Sequence, residues 1–251
     1  MALICVKVMD KKENYMDNIV VFGGSGAIGA ALVQQLSKEN PLAQLHVFSR
    51  RVPDYSLQQM TYYSLDFLNE EQLEEHARMI KQPIDLLIVA TGTLHDKDRK
   101  PEKSLRELTS EKLMELYIVN TIGPAMIAKH FLPKLSRKSR SVFAAISARV
   151  GSIEDNRLGG WYAYRMSKSA LNMFLKTASI ELKRTHKNAV VIGLHPGTVD
   201  SELSKPFQSN VPKGKLFTPD YSAEKLLSVI KGVTSADSGQ IFSWDGQVIP
   251  Y

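Results

Sequence analysis

The chain has 251 residues, 43% of them hydrophobic and 23% charged, with a formal net charge of +6. That length suits one large domain with a sizeable core, and the balance is ordinary for a globular protein. No apolar run approaches the ~18 residues of a membrane-spanning helix, and the single cysteine, Cys5, excludes an internal disulfide and fits a reducing cytoplasm.

The basic residues are scattered (Lys97, Arg99 and Lys100; Arg137, Lys138 and Arg140; Lys183, Arg184 and Lys187). They form no stripe interleaved with aromatics, so no nucleic-acid partner is expected. The excess reads as solvated surface, part of which could serve an anionic cofactor. The six histidines show no metal-ligand spacing, and His95-Asp96 falls in a charged loop segment. No metal is expected.

The apolar start, Ala2 to Met9, is short and lacks a signal peptide's basic flank and cleavage site. Residues 1–16 read as a frayed extension or an upstream start, ahead of a single domain over 17–251. Strand-like runs follow at Ile19–Phe22, Leu45–Phe48, Tyr62–Leu65, Leu86–Val89, Val142–Ile146, Val190–Leu194 and Ile241–Trp244. Several are continuously apolar, as strands covered on both faces are. They alternate with helix-period segments. This predicts an α/β fold, a doubly wound, mostly parallel sheet of about seven strands with helices on both faces.

Punctuation places the helices. Pro41 closes the first, and Asn69-Glu70-Glu71-Gln72 predicts a capping box for another. Thr218-Pro219-Asp220 supplies a capping hydroxyl, a first-turn proline and an acid for a late helix that Gly232 ends. Leu171, Phe174, Leu175, Ala178 and Leu182 make an apolar stripe at helical period, either core or subunit interface. Ser201–Phe217, with Pro206, Pro212 and Gly214, reads as a long loop where a substrate lid belongs.

Three local patterns carry chemistry. Ile19–Phe22 runs into Gly23-Gly24-Ser25-Gly26-Ala27-Ile28-Gly29 and then a helix. A glycine turn between strand and helix lets backbone N–H groups meet a pyrophosphate; its bland reading is a tight turn. After the second strand stands Ser49-Arg50-Arg51, where enzymes for the unphosphorylated dinucleotide carry an acid. A guanidinium pairs with a 2′-phosphate, so NADP(H) is expected, against the reading that one Arg is merely surface charge. Asp66, beside Phe67, could take the adenine amino group or cap its own turn. Tyr164 and Lys168 lie four residues apart, on one helical face, where an ammonium eases ionisation of a phenol.

With these residues, Asn120 in Val119-Asn120-Thr121-Ile122-Gly123-Pro124, and Pro196-Gly197-Thr198-Val199-Asp200-Ser201, the chain resembles the short-chain dehydrogenase/reductase family from Ile19 onward. Within it, Val150–Ile153, Gly160–Arg165 and Asp245-Gly246-Gln247 look most like the C-factor-like and sniffer-like carbonyl reductases. The resemblance implies that Tyr164 donates a proton to a carbonyl substrate as hydride arrives. It implies that Lys168 holds the nicotinamide ribose and that Asn120 seats a relay water. Pro196, Gly197, Val199 and Ser201 would line the nicotinamide. A homodimer or homotetramer is implied, built on the helices holding Asn120 and Tyr164.

Three departures qualify the resemblance. Val89-Ala90-Thr91-Gly92 replaces the family's Asn-Asn-Ala-Gly after the fourth strand. Ala27 stands mid-turn, with Gly26 moved next to it. The family's catalytic serine position is Ala148, with Ser147 beside it. Adjacent side chains of a strand face opposite ways, so Ser147 serves only if the strand end twists or slips. It is the candidate for the polarising hydroxyl, ahead of Ser152. The leading reading is an NADPH-dependent reductase of a ketone, aldehyde or quinone. The alternatives are a dinucleotide-binding signalling protein with little turnover, and a reductase of acyl-carrier thioesters. Trp161, Tyr162, Phe207 and Phe217 either wall an apolar pocket or pack the lid.

Overall fold

The structure, a computed structural model, describes residues 16–95 and 100–251. All but Met16 of the expected extension, and Asp96, Lys97 and Arg99 of the charged loop, lie outside the described residues.

The first half contains β1 (Asn18–Phe22), α1 (Ala27–Glu39), β2 (Gln44–Ser49), β3 (Met60–Ser64), α2 (Glu70–Met79), β4 (Leu86–Val89), α3 (Ser110–Tyr117) and α4 (Gly123–Phe131). The second contains β5 (Ser141–Ile146), α5 (Tyr162–Leu182), β6 (Ala189–His195), β7 (Thr198–Val199), β8 (Leu216–Phe217), α6 (Pro219–Gly232), β9 (Ile241–Ser243) and β10 (Val248–Ile249).

Eight strands form one sheet in the order β10-β9-β6-β5-β4-β1-β2-β3. All neighbours are parallel except β10 on β9. The strand beyond the expected seven is β10, two residues long and too short for any periodicity. Every residue of β1 and β4 is buried. Alternation of two along β1 sends Val20 and Phe22 into one core layer and Ile19 and Val21 into the other. The first layer packs Leu73 of α2, Phe131 of α4 and Leu171 and Leu175 of α5; the second packs Leu32 and Leu36 of α1 and Leu226 and Ile230 of α6. Each such side chain contributes ~1.5–3 kcal/mol on burial. The stripe on α5 is therefore core.

Capping follows the sequence with one change. Thr218 Oγ1 accepts from Tyr221 N at 3.2 Å, with Pro219 at the first position of α6. Asn69 caps α2 by accepting from Gln72 N, but Gln72 Oε1 takes the N–H of Asp66, at 3.4 Å, so the expected box is half formed. The expected lid loop carries a short 3-10 helix over Lys205–Asn210, and its far end, β8, pairs with β7.

Between α3 and α4, residues Ile118–Ile122 form a π-helical turn, in which Gly123 N reaches back to Ile118 O. Strand order reverses at β1, flanked by β4 and β2. Ligands of open α/β sheets bind outside the carboxyl ends of strands at such a switch point.

Candidate active site

A cavity of 1160 Å³ lies at that place. One end is walled by the glycine turn and the Arg50-Arg51 segment, the other by Tyr164, Leu94 and Phe207. Gly23 has φ +85°, and a Cβ there would stand 2.9 Å from the carbonyl of Ala90; one on Gly29 would stand 2.1 Å from Gly23 O. Glycine at these two points lets β1, the end of β4 and α1 converge. Gly23 N donates to Phe48 O (2.7 Å) and Gly26 N to Gly23 O (3.0 Å), so the turn is internally fixed. The first N–H groups of α1, on Ala27, Ile28 and Gly29, have no acceptor within the helix. Ser25, Gly26, Ala27 and Ile28 line the cavity.

Tyr55, absent from the sequence reading, braces this turn by donating to Gly24 O at 2.8 Å. Burial, helped by the charge of Asp54, pushes its phenol up to about 12. Only the contact itself reveals this role, since no motif spans the 31 residues between them.

Arg50 and Arg51 are exposed at the cavity rim, where Ser49 Oγ donates to Arg51 O (2.7 Å) and bends the chain. Asp66 is exposed and spends Oδ1 on Leu68 N (3.1 Å), the turn-capping role, while Phe67 packs on Gly123 and lines the cavity. Ala90, Thr91 and Gly92 line the cavity, and Thr91 Oγ1 is buried there without a partner among the described residues. Ser201 lines the cavity too; Pro196, Gly197 (φ +75°) and Val199 form the turn and ribbon leading to it. The converging glycines, the free helix N-terminus, the unpartnered Thr91 hydroxyl and the rim arginines fit a phosphorylated dinucleotide.

Tyr164 and Lys168 lie on the buried face of α5. Lys168 Nζ stands 5.8 Å from the centre of the Tyr164 ring and donates to Ile146 O at 2.8 Å. Burial pushes the Tyr164 phenol up and holds the Lys168 ammonium down to about 7. Desolvation thus outweighs the expected lowering of the phenol by its cationic neighbour. Gly92 closes the group, since a Cβ there would lie 3.4 Å from Asn120 Oδ1 and 3.6 Å from Lys168 Nζ.

Asn120 is fully buried in the π-helical turn. Its Oδ1 accepts from Thr93 N (2.9 Å), and its Nδ2 donates to Thr93 O (2.8 Å) and Ser167 Oγ (3.1 Å). The side chain is engaged in tying the loop after β4 to α5.

Ser147 requires a correction. Its Oγ is buried and donates to Asn172 Oδ1 at 2.6 Å, on the core side of α5. It shares a face with Phe143 and Ala145, whereas Ala148 packs with Leu94 and Tyr164. Strand alternation holds to the end of β5, and no slip brings the hydroxyl round. Ser152 is engaged as well, accepting from Asp155 N at 3.0 Å.

The wall above Tyr164 contains Leu94, Leu116, Ala148, Val150, Trp161 and Phe207. Trp161 has φ +52°, following Gly159 and Gly160 at +63° and +64°. Holding a tryptophan in that region costs ~1–2 kcal/mol. Its ring lies 6.2 Å from Tyr164 and 4.9 Å from Phe207. The cost places an aromatic plate beside the Tyr164 ring. Tyr162 does not join this cluster, and Phe217 instead packs on Tyr221 and Trp244. His95 is tied to the 201–217 loop, with Nε2 donating to Leu203 O at 2.9 Å.

The chain belongs to the short chain dehydrogenase family, whose sequence profile matches residues 17–212. Benzil reductase ((S)-benzoin forming) of Bacillus subtilis is 25% identical over 248 residues, spanning 90% of this chain and 98% of that one. Two solved structures share the fold at 22% identity. The carbonyl reductase Sniffer of D. melanogaster has a TM-score of 0.82, over 94% of this chain and 100% of the other. An NADPH-bound carbonyl reductase from chicken fatty liver has a TM-score of 0.81, over 94% and 95%.

Proposed function

We propose that this protein is an NADPH-dependent reductase of ketones, aldehydes or quinones, with Tyr164 as the general acid. The observation that carries the reading is the placement of Tyr164, with Lys168 beside it against Gly92, at one end of a cavity whose other end holds the glycine turn and two arginines. The turn and the N-terminus of α1 would hold the pyrophosphate, Arg50 and Arg51 the 2′-phosphate, and Lys168 the nicotinamide ribose. When bound, the dinucleotide supplies a hydride.

Tyr164 keeps its proton at neutral pH because burial opposes the phenolate, and it delivers that proton to the substrate oxygen. Lys168 gains its charge readily near pH 7 and returns a proton toward the phenol. Asn120 holds Thr93, and with it the wall facing Tyr164, through both of its amide atoms. Trp161 and Phe207 exclude water above the phenol. Their faces suit an apolar or aromatic carbonyl compound.

NADPH oxidation is measured with aromatic ketones, aldehydes and quinones for wild type and Tyr164→Phe. Loss of the general acid lowers turnover ~10²–10⁴-fold, with NADPH affinity by fluorescence titration unchanged. No wild-type turnover on such a panel would overturn the reading. Ala148, where the family's hydroxyl is missing, favours a second reading: a dinucleotide-binding regulatory protein. It predicts NADPH binding with no activity dependent on Tyr164.

The reading extends to a homodimer or homotetramer and a cytoplasmic location. Among the described residues, no helix is long and apolar enough to cross a membrane.

A further inference from the structure

A buried carboxylate stands beside the apolar residues that surround Tyr164. Glu102 is 2% exposed and lines the same cavity as Ala163 and Tyr164. Its backbone carbonyl accepts from Trp161 N at 2.6 Å and so helps hold the left-handed turn that enters α5. Its carboxylate makes one hydrogen bond among the described residues, Oε2 accepting from Ala163 N at 3.3 Å.

A carboxylate offers about four acceptor positions, so most of this one's capacity is unspent. Burying such a group without partners is costly, and the positive end of α5 offsets only part of the cost. A helix cap needs no charge, and a neutral Ser, Thr or Asn beside the helix serves as well. Here the carboxylate instead enters from a segment 61 residues away. Two ammonium groups, Lys100 and Lys112, also line the cavity. Lys112 Nζ donates to Glu107 O at 3.3 Å, and neither forms an ion pair with Glu102.

We propose that Glu102 determines substrate specificity by receiving a hydrogen-bond donor, a hydroxyl or an ammonium, carried by the carbonyl substrate. The preferred substrates are then hydroxy-ketones or amino-ketones with an apolar body. The proposal rests on the reductase reading and deepens it. Ala163 directly precedes Tyr164, so the anchor and the proton donor stand at the same end of α5. A substrate whose donor lies a few bonds from its carbonyl meets both. The apolar plate of Trp161 and Phe207 takes the remainder of the molecule.

The test compares acetophenone with 2-hydroxyacetophenone, 2-aminoacetophenone and homologues whose donor lies one to three carbons further out. kcat/KM with NADPH is measured for wild type, Glu102→Gln and Glu102→Leu. Sites built to hydrogen-bond a substrate donor discriminate strongly against analogues lacking it, so wild type favours the best donor-bearing ketone by at least about tenfold. Glu102→Gln keeps an acceptor for Ala163 N and loses mainly the ammonium preference. Glu102→Leu loses both preferences, its fall on the donor-bearing ketones exceeding any fall on acetophenone by at least about tenfold.

A parallel fall on all ketones in both variants makes Glu102 a cap for α5 and overturns the proposal. Equal selectivity in wild type and variants overturns it too. Should Glu102→Leu not fold, the Gln variant alone decides on the ammonium preference. Thermal shifts of the NADP-loaded protein with the same ketones separate this inference from the function. Stabilisation by donor-bearing ketones that needs Glu102, without turnover, supports the anchor and defeats the reductase reading. Stabilisation that ignores the donor defeats the anchor.

Discussion

Ser147 and Ala148 are adjacent residues with different jobs. The backbone stays extended past the end of β5, so Ser147 faces α5 and Ala148 faces Leu94 and Tyr164. Ser147 uses its proton to satisfy Asn172 in the core, and Ala148 leaves an apolar surface beside Tyr164. The two positions should respond to mutation in opposite ways. Ser147→Ala strands Asn172 Oδ1 in a buried place and destabilises by about 1–3 kcal/mol, read as a lowered urea midpoint. Its turnover per folded molecule should stay within about threefold, because the hydroxyl is bonded to Asn172 in the core. Ala148→Ser places a donor on the cavity side and raises kcat on simple aromatic ketones. One oxyanion donor is worth ~10²–10³-fold elsewhere, which bounds the gain. Loss of turnover at unchanged stability in Ser147→Ala would mean that this hydroxyl does reach the substrate.

Helix α5 has two apolar sides with separate uses. Leu171 and Leu175 are sealed in the core, whereas Met166, Met173 and Ile180, seven residues apart, are 43%, 68% and 56% exposed. Beside them, Met114, Ile118 and Ile122 form a second exposed apolar row on α3 and the π-helical turn. Such a surface fits the expected second copy of the chain. Met173→Glu puts a charge into it and should shift light-scattering mass toward the monomer, with the fold intact by circular dichroism. An unchanged mass would place the contact elsewhere. At this scale the sequence was legible wherever a pattern repeats. Buried parallel strands show as apolar runs, Tyr164 and Lys168 as a helical pair, and Gly23 and Gly29 as a turn that only glycine fits. It was opaque where a single contact decides. Two-residue strands such as β7, β8 and β10 have no period, and a π-helical turn differs from an α-helix by one hydrogen bond. Glu102 matters through a helix 61 residues away. The orientation of Ser147 was legible from strand alternation, and the resemblance agreed in placing the family's serine position at Ala148.

Across the whole molecule, charge and topology act on the same ligand. The switch point of the sheet puts the cavity at one edge, and Arg50 and Arg51 stand exposed at its rim. The net charge of +6 gives a long-range attraction for an anionic dinucleotide, while the two arginines, in the role proposed for them, would add short-range pairing with a 2′-phosphate. These contributions separate by range. Raising salt from about 10 mM to about 150 mM shortens the screening length from ~30 Å to ~8 Å, which removes steering and leaves close pairs partly intact. kcat/KM for NADPH should therefore fall over that interval, and it should fall more steeply than kcat/KM for NADH. Replacing both arginines with alanine removes charge-assisted bonds worth ~1.5–3 kcal/mol each. It should weaken NADPH binding by about 10²-fold or more while NADH changes little, and it should flatten the difference in salt dependence. Equal losses for the two dinucleotides would reduce the arginines to general surface charge, and the choice of cofactor would then have to come from elsewhere on the rim.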